Sequence, residues 1–117
     1  MEIKAIYPES AGKKLRYDLT CKPTNQRLST CEGQVLEVAA WCHFTDVNQK
    51  TGELQELLSI QTPEGEVYTS NSATVLGEFL LMVDMFGPDG VDAVEVQSGT
   101  SKAGRKFFTL VYAGSDN

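Results

Sequence analysis

The amino-acid sequence predicts a small, mainly β domain built from five strands and one helix. Runs rich in Val, aromatic and other apolar residues recur along the chain, with turn-forming residues between them. One stretch, residues 73–86, instead repeats its apolar residues at helical spacing. The order strand, strand, strand, helix, strand, strand is that of the OB-fold, a five-stranded Greek-key barrel with one helix between strands 3 and 4. A small α+β sheet domain is the alternative.

The first predicted strand is a long one, with the sequence GQVLEVAAWCHF (33–44). Side chains alternate between the two faces of a strand. One face carries Leu36, Val38, Ala40, Cys42 and Phe44, and the other carries Glu37, Ala39, Trp41 and His43. Because a Glu and a His share the second face, we expect Trp41 to lie outside the main core.

Turn-type sequences separate the remaining elements. Strand 2 is LQELLSIQT (54–62), strand 3 is EVYTS (66–70), strand 4 is VDAVEVQ (91–97) and strand 5 is KFFTLVY (106–112). DVNQKTGEL (46–54) joins strands 1 and 2, PEG (63–65) precedes strand 3, and SGTSKAGR (98–105) joins strands 4 and 5. The helix between strands 3 and 4 is predicted to begin at Asn71 or Ser72 as N-cap. It is predicted to end at Gly87, since Pro88 cannot continue a helix and Gly tolerates the left-handed exit.

The chain of 117 residues fits a single domain. Residues 1–32 mix Pro, Gly, Ser, Thr and Asn with basic residues and predict an irregular lead-in of short elements, with a short strand at Met1–Tyr7. Residues 33–112 form the predicted OB-like barrel. The polar residues 113–117 predict a frayed tail.

Charge is distributed unevenly along this acidic chain, whose formal net charge is -6. Residues 51–100 contain nine acidic residues and no Lys or Arg, whereas three of the ten basic residues lie within 102–106. A protein this acidic does not bind polyanions with its whole surface. A local basic groove remains compatible with the sequence.

Signals for secretion, metal binding and catalysis are weak. The N-terminus lacks a signal-peptide pattern, the longest near-apolar run is FLLMV, and three Cys occur without a C-x-x-C pair. We expect a cytoplasmic protein with reduced thiols, no metal and no cofactor. Cys42 and His43 are adjacent, so they point to opposite strand faces and cannot form a local nucleophile–base pair. We expect a small core role for Cys42 and no enzymatic activity.

The predicted binding loops carry the basic residues. OB-folds bind oligonucleotides or oligosaccharides across strands 2 and 3, flanked by the loops between strands 1 and 2 and between strands 4 and 5. Lys50 lies in the first of these loops, and Lys102, Arg105 and Lys106 lie in or beside the second. These cations are positioned to hold phosphates. The alternative is that the hairpin tip is only a solvated turn.

A groove that binds single strands also needs aromatic side chains, because bases stack on aromatic faces. Phe108 runs in phase with Leu110 and Tyr112 and is predicted to face the core, which leaves Phe107 for stacking. Trp41 and Tyr68 are the other stacking candidates. The alternative is that these two cover a second small core formed with the lead-in.

A second basic group lies in the lead-in, in the sequence AGKKLRY (11–17). Its Lys13, Lys14 and Arg16 either extend the groove or belong to a solvated loop.

Three segments, TPEGEVYTSNS, FLLMVDMFG and GTSKAGRKFFTLVY, resemble the small single-stranded-DNA-binding proteins of tailed phages and mobile elements of Gram-positive bacteria. The resemblance covers roughly residues 33–112. It implies an OB-fold, a role in coating DNA during phage replication or recombination, and recombination and replication proteins as partners. It implies DNA contacts for Lys102, Arg105 and Phe107. The terminal AGSDN lacks the acidic, Phe-ending tail through which bacterial single-strand binders recruit partners.

The sequence thus predicts a sequence-tolerant single-stranded DNA-binding protein, with Lys50 and Lys102–Lys106 holding phosphates. Two other functions stay open. One is a protein-interaction module, accessory or inhibitor, on the same small barrel, which net acidity favours. The other is an RNA binder, because stacking grooves discriminate sugars poorly without contacts to the 2′-hydroxyl. A homodimer through an exposed strand edge is compatible with a half-open barrel.

Overall fold

A computed structural model of the protein describes residues 1–115. Its elements are, in chain order, β1 (Glu2–Tyr7), α1 (Lys13–Thr20), β2 (Gln26–Arg27), a 3-10 helix (Leu28–Cys31), β3 (Val35–Glu37), β4 (Ala40–Val47), β5 (Leu54–Gln61), β6 (Val67–Ser70), α2 (Ala73–Phe86), β7 (Ala93–Thr100) and β8 (Lys106–Tyr112). The mainly β class is confirmed, and β3 to β8 with α2 follow the element order of an OB-type domain.

The strands form two sheets, one with the order β1-β4-β5-β6-β2 and one with the order β3-β7-β8. The predicted first strand runs through both sheets, because it leaves the three-stranded sheet after Glu37 and enters the five-stranded sheet at Ala40. Within residues 1–115, β6 and β8 belong to different sheets, so strand pairing does not close the barrel on that side. The two sheets instead meet across the core.

Helix α2 begins and ends where the sequence predicts. The Ser72 hydroxyl accepts a hydrogen bond from the Val75 N–H at 3.2 Å, which satisfies one of the free amides of the first turn. Gly87 adopts a φ of 88°, and its N–H donates to the Val83 carbonyl at 2.8 Å. The buried stripe of the helix packs into the main core between the sheets, with Val75, Leu76, Phe79 and Met82.

Helix α2 also covers part of β8, which lies at one side of the three-stranded sheet. The Leu110 N–H donates to the Glu78 Oε1 at 3.0 Å. An unpaired N–H on an edge strand is a point at which another chain can add a strand. The Glu78 carboxylate therefore shields this stretch of the edge.

A second core cluster forms between α1 and the five-stranded sheet. Leu19 of α1 packs with Ala40, Cys42 and Phe44 of β4 and with Val67 of β6. This confirms that Ala40, Cys42 and Phe44 share an apolar face and that Cys42 is a core residue. Leu36 and Val38, predicted on the same face, instead pack in or against the main core, because the predicted strand is interrupted between β3 and β4. The N-terminal region consists of short elements, and the predicted strand at Met1–Tyr7 is present as β1, which pairs with β4, while α1 covers the sheet.

Trp41 lies on the opposite face of β4, in the main core. The prediction that it lies outside this core is wrong. Strand β4 is covered on both faces, by α1 on one side and by α2 with the three-stranded sheet on the other. A strand buried on both faces does not show a polar face, so alternation could not identify the inner one.

The chain after β8 is held against the start of β7. The Ser115 N–H donates to Asp92 Oδ2 at 3.0 Å, and the Tyr112 hydroxyl donates to Asp92 Oδ1 at 2.6 Å. Residues 113–115 of the predicted frayed tail are therefore attached to the domain, and residues 116–117 lie outside the described residues. None of the helices described within residues 1–115 has the length and apolarity needed to cross a membrane.

Candidate nucleic-acid interface

The β7–β8 hairpin presents two cations at its tip. The strands pair as far as Thr100 opposite Lys106, and the Ser101 N–H then donates to the Arg105 carbonyl at 2.8 Å. Gly104 closes the loop with a φ of 81°, a left-handed conformation that favours glycine. Lys102 and Arg105 are exposed and form no ion pair within the described part of the chain. Their charges are therefore available to a polyanion.

Phe107 follows directly on the outer face of the three-stranded sheet. Its side chain is 41% exposed, and its cross-strand neighbour on β7 is Gly99. A Cβ atom at residue 99 would lie 2.6 Å from the Phe107 Cζ atom, so the ring occupies the space that a side chain there would need. Phe108 points the other way and packs against the main core with Leu110 and Tyr112, as predicted.

Lys106 differs from the other hairpin cations because it has a partner. Its Nζ atom lies 2.6 Å from Glu32 Oε1 and 5.4 Å from the centre of the Phe108 ring. The Ser98 hydroxyl donates to the second Glu32 oxygen at 3.0 Å. Hydrogen bonds from Lys106 and Ser98 lower the pKa of the Glu32 carboxyl below its usual value. Any phosphate that binds Lys106 must compete with Glu32.

Lys50 lies in the turn between β4 and β5, at the end of the five-stranded sheet. The Asn48 side-chain oxygen accepts the N–H groups of Lys50 at 2.9 Å and of Thr51 at 3.3 Å, which shapes the turn. The Lys50 side chain is exposed and has no ion-pair partner among residues 1–115. The structure thus groups Lys102, Arg105, Lys106 and Phe107 on one hairpin and holds Lys50 on a hairpin of the other sheet.

Residues 19–113 match the family model described as phage single-stranded DNA-binding protein. The chain belongs to this family. The match spans most of the 117 residues and includes both hairpins and every strand except β1. No curated protein and no solved structure matches the chain.

Membership of the phage single-stranded DNA-binding protein family confirms the predicted resemblance and the predicted ligand. The polymer that the protein binds is single-stranded DNA, in the setting of phage DNA replication. The Gram-positive host that the sequence suggested stays a prediction.

Trp41 of this phage single-stranded DNA-binding protein has no ring face open to a base. Its side chain is 2% exposed, and its Nε1–H donates to the Pro88 carbonyl at 2.9 Å. Its ring meets Phe79 edge-on, with ring centres 5.3 Å apart. The residue connects β4 to α2 and to the segment after it, so we remove it from the candidate stacking residues.

Tyr68 lies in acidic surroundings. Its ring packs against the main core beside Cys31, and its hydroxyl donates to Glu66 Oε2 at 2.7 Å. This hydrogen bond to Glu66, together with burial, raises the pKa of the Tyr68 hydroxyl. A cavity of about 540 Å³ beside the ring is lined by Glu37, Glu64 and Glu66. Phosphates are repelled here, so a core role shared with the N-terminal region describes Tyr68 better than stacking.

The second basic group of the protein is dispersed over and around α1. The Lys14 Nζ atom lies 3.4 Å from Asp18 Oδ2, and the Arg16 Nε–H donates to the Ala11 carbonyl at 2.9 Å. Lys13 is exposed. Arg16 is thus engaged in holding the start of α1, while the two lysines face solvent.

The side chains considered for catalysis or metal binding are either buried or separated from one another. Burial raises the pKa of the Cys42 thiol to about 11, so the thiol stays protonated at neutral pH. His43 points away from it and places its Nε2 atom 3.0 Å from Glu56 Oε1. Within residues 1–115, no group of three or more His, Cys, Asp or Glu side chains is arranged to hold a metal ion.

Two site features escaped sequence reasoning. The Lys106–Glu32 pair joins residues that are far apart in the chain, and no local pattern links them. The position of the Phe107 ring above Gly99 depends on the hairpin register, in which residue 99 pairs with residue 107. A signal for the second was present, since a glycine inside a predicted strand often marks a close approach.

Proposed function

We propose that this protein coats single-stranded DNA without regard to sequence, and that the β7–β8 hairpin is its primary contact. Lys102 and Arg105 would bind phosphates, and Phe107 would stack on a base. The observation that carries the assignment is the adjacency of an exposed aromatic ring and two exposed cations on one hairpin of a family member. Lys50 would add a further phosphate contact from the other sheet.

Charge supports this choice of surface. The chain has a net charge of -6, and residues 51–100 contain no Lys or Arg. The part of the surface that residues 51–100 contribute therefore repels a polyanion, and the cations at 102–106 attract one locally. Repulsion elsewhere would limit DNA to one binding mode.

Sequence tolerance follows from the chemistry of these side chains. Every base has a π-face, and each stacked base contributes about 1–3 kcal/mol whatever its identity. Cations on phosphates carry no sequence information. Neither contact involves making or breaking a bond, so we propose a non-enzymatic role.

We further propose that the protein acts in the host-cell cytoplasm and serves recombination as well as replication of phage DNA. Phage replication and recombination proteins would be its protein partners. A homodimer stays a proposal that the strand edges allow.

Fluorescence anisotropy of labelled oligo-dT tests the function directly. We expect binding to oligo-dT, weak binding to duplex DNA, and an affinity that falls as salt rises. Lys102→Gln and Arg105→Gln should each lower the slope of log K against log salt by about 0.7, the value for one phosphate on a single strand. Lys4→Gln, which removes the same charge outside the two binding hairpins, should leave the slope unchanged.

Phe107→Ala tests stacking. Stacking on one base contributes about 1–3 kcal/mol, so its loss corresponds to a Kd increase of roughly 5- to 150-fold. Val111→Ala is the matched control, because Val111 is an exposed apolar residue of the same strand face. No anisotropy change with oligo-dT even at low salt would contradict the proposal and favour a protein-interaction module. Competition with oligo-rU would separate DNA from RNA preference.

A further inference from the structure

The two sheets enclose a cavity of about 450 Å³ on the side where β6 and β8 do not pair. We call it the inter-sheet cavity. Its walls come from β2, the 3-10 helix, β5, β6, α2, β7 and β8. Its volume falls within the range of about 300–1,000 Å³ that is usual for small-molecule sites.

The inter-sheet cavity combines an apolar floor with amide side chains. Leu57, Val75, Val96 and the half-buried Phe108 form the apolar wall. Gln26 and Asn71 bring side-chain amides, and so does Asn25, whose Nδ2 atom already donates to the Asp18 carbonyl at 2.7 Å. A nucleobase has apolar faces and an edge of donors and acceptors. Amides carry both donors and acceptors, so they can pair with the edge of any base.

Charge distinguishes the inter-sheet cavity from the cavity beside Tyr68. Among the residues that the structure describes, no Asp or Glu lines the inter-sheet cavity, and Arg27 lies at its wall. The cavity beside Tyr68 is instead lined by three glutamates. In a chain with a net charge of -6, a carboxylate-free lining with an exposed arginine favours an anionic ligand.

The inter-sheet cavity and the proposed DNA contact share strand β8. Phe107 faces outward from β8, and its neighbour Phe108 faces the cavity. Lys106, at the base of the hairpin, places its Nζ atom 5.4 Å from the centre of the Phe108 ring. A DNA strand that stacks on Phe107 therefore contacts the same β-strand whose other face lines the cavity.

We propose that the inter-sheet cavity accepts one base of the bound DNA strand, with Arg27 on the adjacent phosphate. The inference rests on the proposed function, and it adds a second base site on the opposite face of β8. The base would lie against the apolar wall that includes Phe108, and Asn25, Gln26 and Asn71 would meet its polar edge. Because amides can serve every base, this site also tolerates any sequence.

Nuclear magnetic resonance of the side-chain amides tests the placement. We expect addition of a short oligo-dT to shift the side-chain NH₂ signals of Asn25, Gln26 and Asn71. The backbone signals of Glu64 and Glu66, beside the acidic cavity, should stay in place. If oligo-dT shifts the signals of Lys102 to Phe107 and leaves the three cavity amides unchanged, the inference is overturned while the proposed function stands.

Filling the cavity gives a second test. Ser29→Trp places an indole in the inter-sheet cavity, and it should raise the Kd for oligo-dT by about 5- to 150-fold, the value of one stacked base. Gln34→Trp, which fills the acidic cavity, is the matched control and should leave the Kd unchanged. An unchanged Kd in a folded Ser29→Trp variant overturns the inference. If that variant does not fold, the amide shifts in the unaltered chain decide.

The salt dependence separates Arg27 from the hairpin cations. Arg27→Gln should lower the slope of log K against log salt by about 0.7, and Lys4→Gln should not. If the slope is unchanged in Arg27→Gln but lowered in Lys102→Gln, the proposed contact between Arg27 and a phosphate is overturned, and the rest of the inference is not. Absence of any binding to oligo-dT by the unaltered protein overturns both the inference and the proposed function.

Discussion

The Phe107 ring lies where a side chain of Gly99 would be, with the Phe107 Cζ atom 2.6 Å from the position of a Cβ atom at residue 99. The two residues are cross-strand partners in the β7–β8 hairpin. The absence of a side chain at residue 99 therefore sets where the stacking ring rests. This relationship can be broken without touching the ring itself.

Gly99→Ala should displace the Phe107 ring and weaken binding to oligo-dT. The Kd should rise by no more than the roughly 5- to 150-fold expected for loss of one stacked base. The measurement is anisotropy, alongside thermal unfolding to show that the domain is intact. Gly77→Ala is the control, because a Cβ atom there meets nothing within 4 Å. That helix substitution should stabilise the fold by about 0.5–1 kcal/mol and leave the Kd unchanged. Equal affinity in Gly99→Ala would argue against Phe107 as the stacking residue.

Glu32→Gln should strengthen binding to DNA. The Lys106 ammonium now lies 2.6 Å from the Glu32 carboxylate, and a neutral amide would release it for a phosphate. The lowered pKa of Glu32 means that the pair is ionised at neutral pH. Anisotropy at low salt should show a lower Kd and a steeper salt slope. Glu9→Gln controls for the change in net charge, because it neutralises an exposed carboxylate in the N-terminal region. A Kd that falls equally in both variants would mean that only net charge matters.

Trp41→Phe should destabilise the fold and spare DNA binding. The substitution removes the hydrogen bond to the Pro88 carbonyl and leaves unfilled volume beside Phe79, at a total of about 2 kcal/mol or more. Urea unfolding followed by circular dichroism measures the loss. The Kd for oligo-dT, measured well below the midpoint, should not change. In the unaltered protein, DNA should quench Trp41 emission little. Strong quenching would indicate that Trp41 contacts the DNA and would contradict this prediction.

Low pH should release the segment after β8. The hydrogen bond from Tyr112 and the backbone N–H of Ser115 hold the pKa of Asp92 below its ordinary value of 3.8. A lowered folded-state pKa means that the contribution of Asp92 to stability is complete above pH 3.8 and is lost as the pH falls through the folded value. Asp92→Asn should therefore reduce stability at neutral pH, and the difference from the unaltered protein should shrink below pH 3.8. A difference that is constant down to pH 2 would contradict this role.

Local sequence patterns were sufficient to predict much of the fold. Helical spacing and the Ser72 and Gly87 signals predicted α2 at both ends, because caps and periodicity are properties of neighbouring residues. Alternation in β8 correctly assigned Phe108 to the core, since only one face of that strand is covered. The tip of the β7–β8 hairpin was predicted for the same reason, from turn residues between two strand-like runs.

Other features depended on packing between distant segments, and only the tertiary structure decided them. Trp41 is buried because α2 and the three-stranded sheet cover the face of β4 that its polar neighbours had suggested was exposed. Lys106 is partnered because Glu32 is brought to it from before β3, and the inter-sheet cavity exists because β6 and β8 do not pair. Periodicity reports which residues share a face. It does not report what covers that face, because the covering layer comes from elsewhere in the chain.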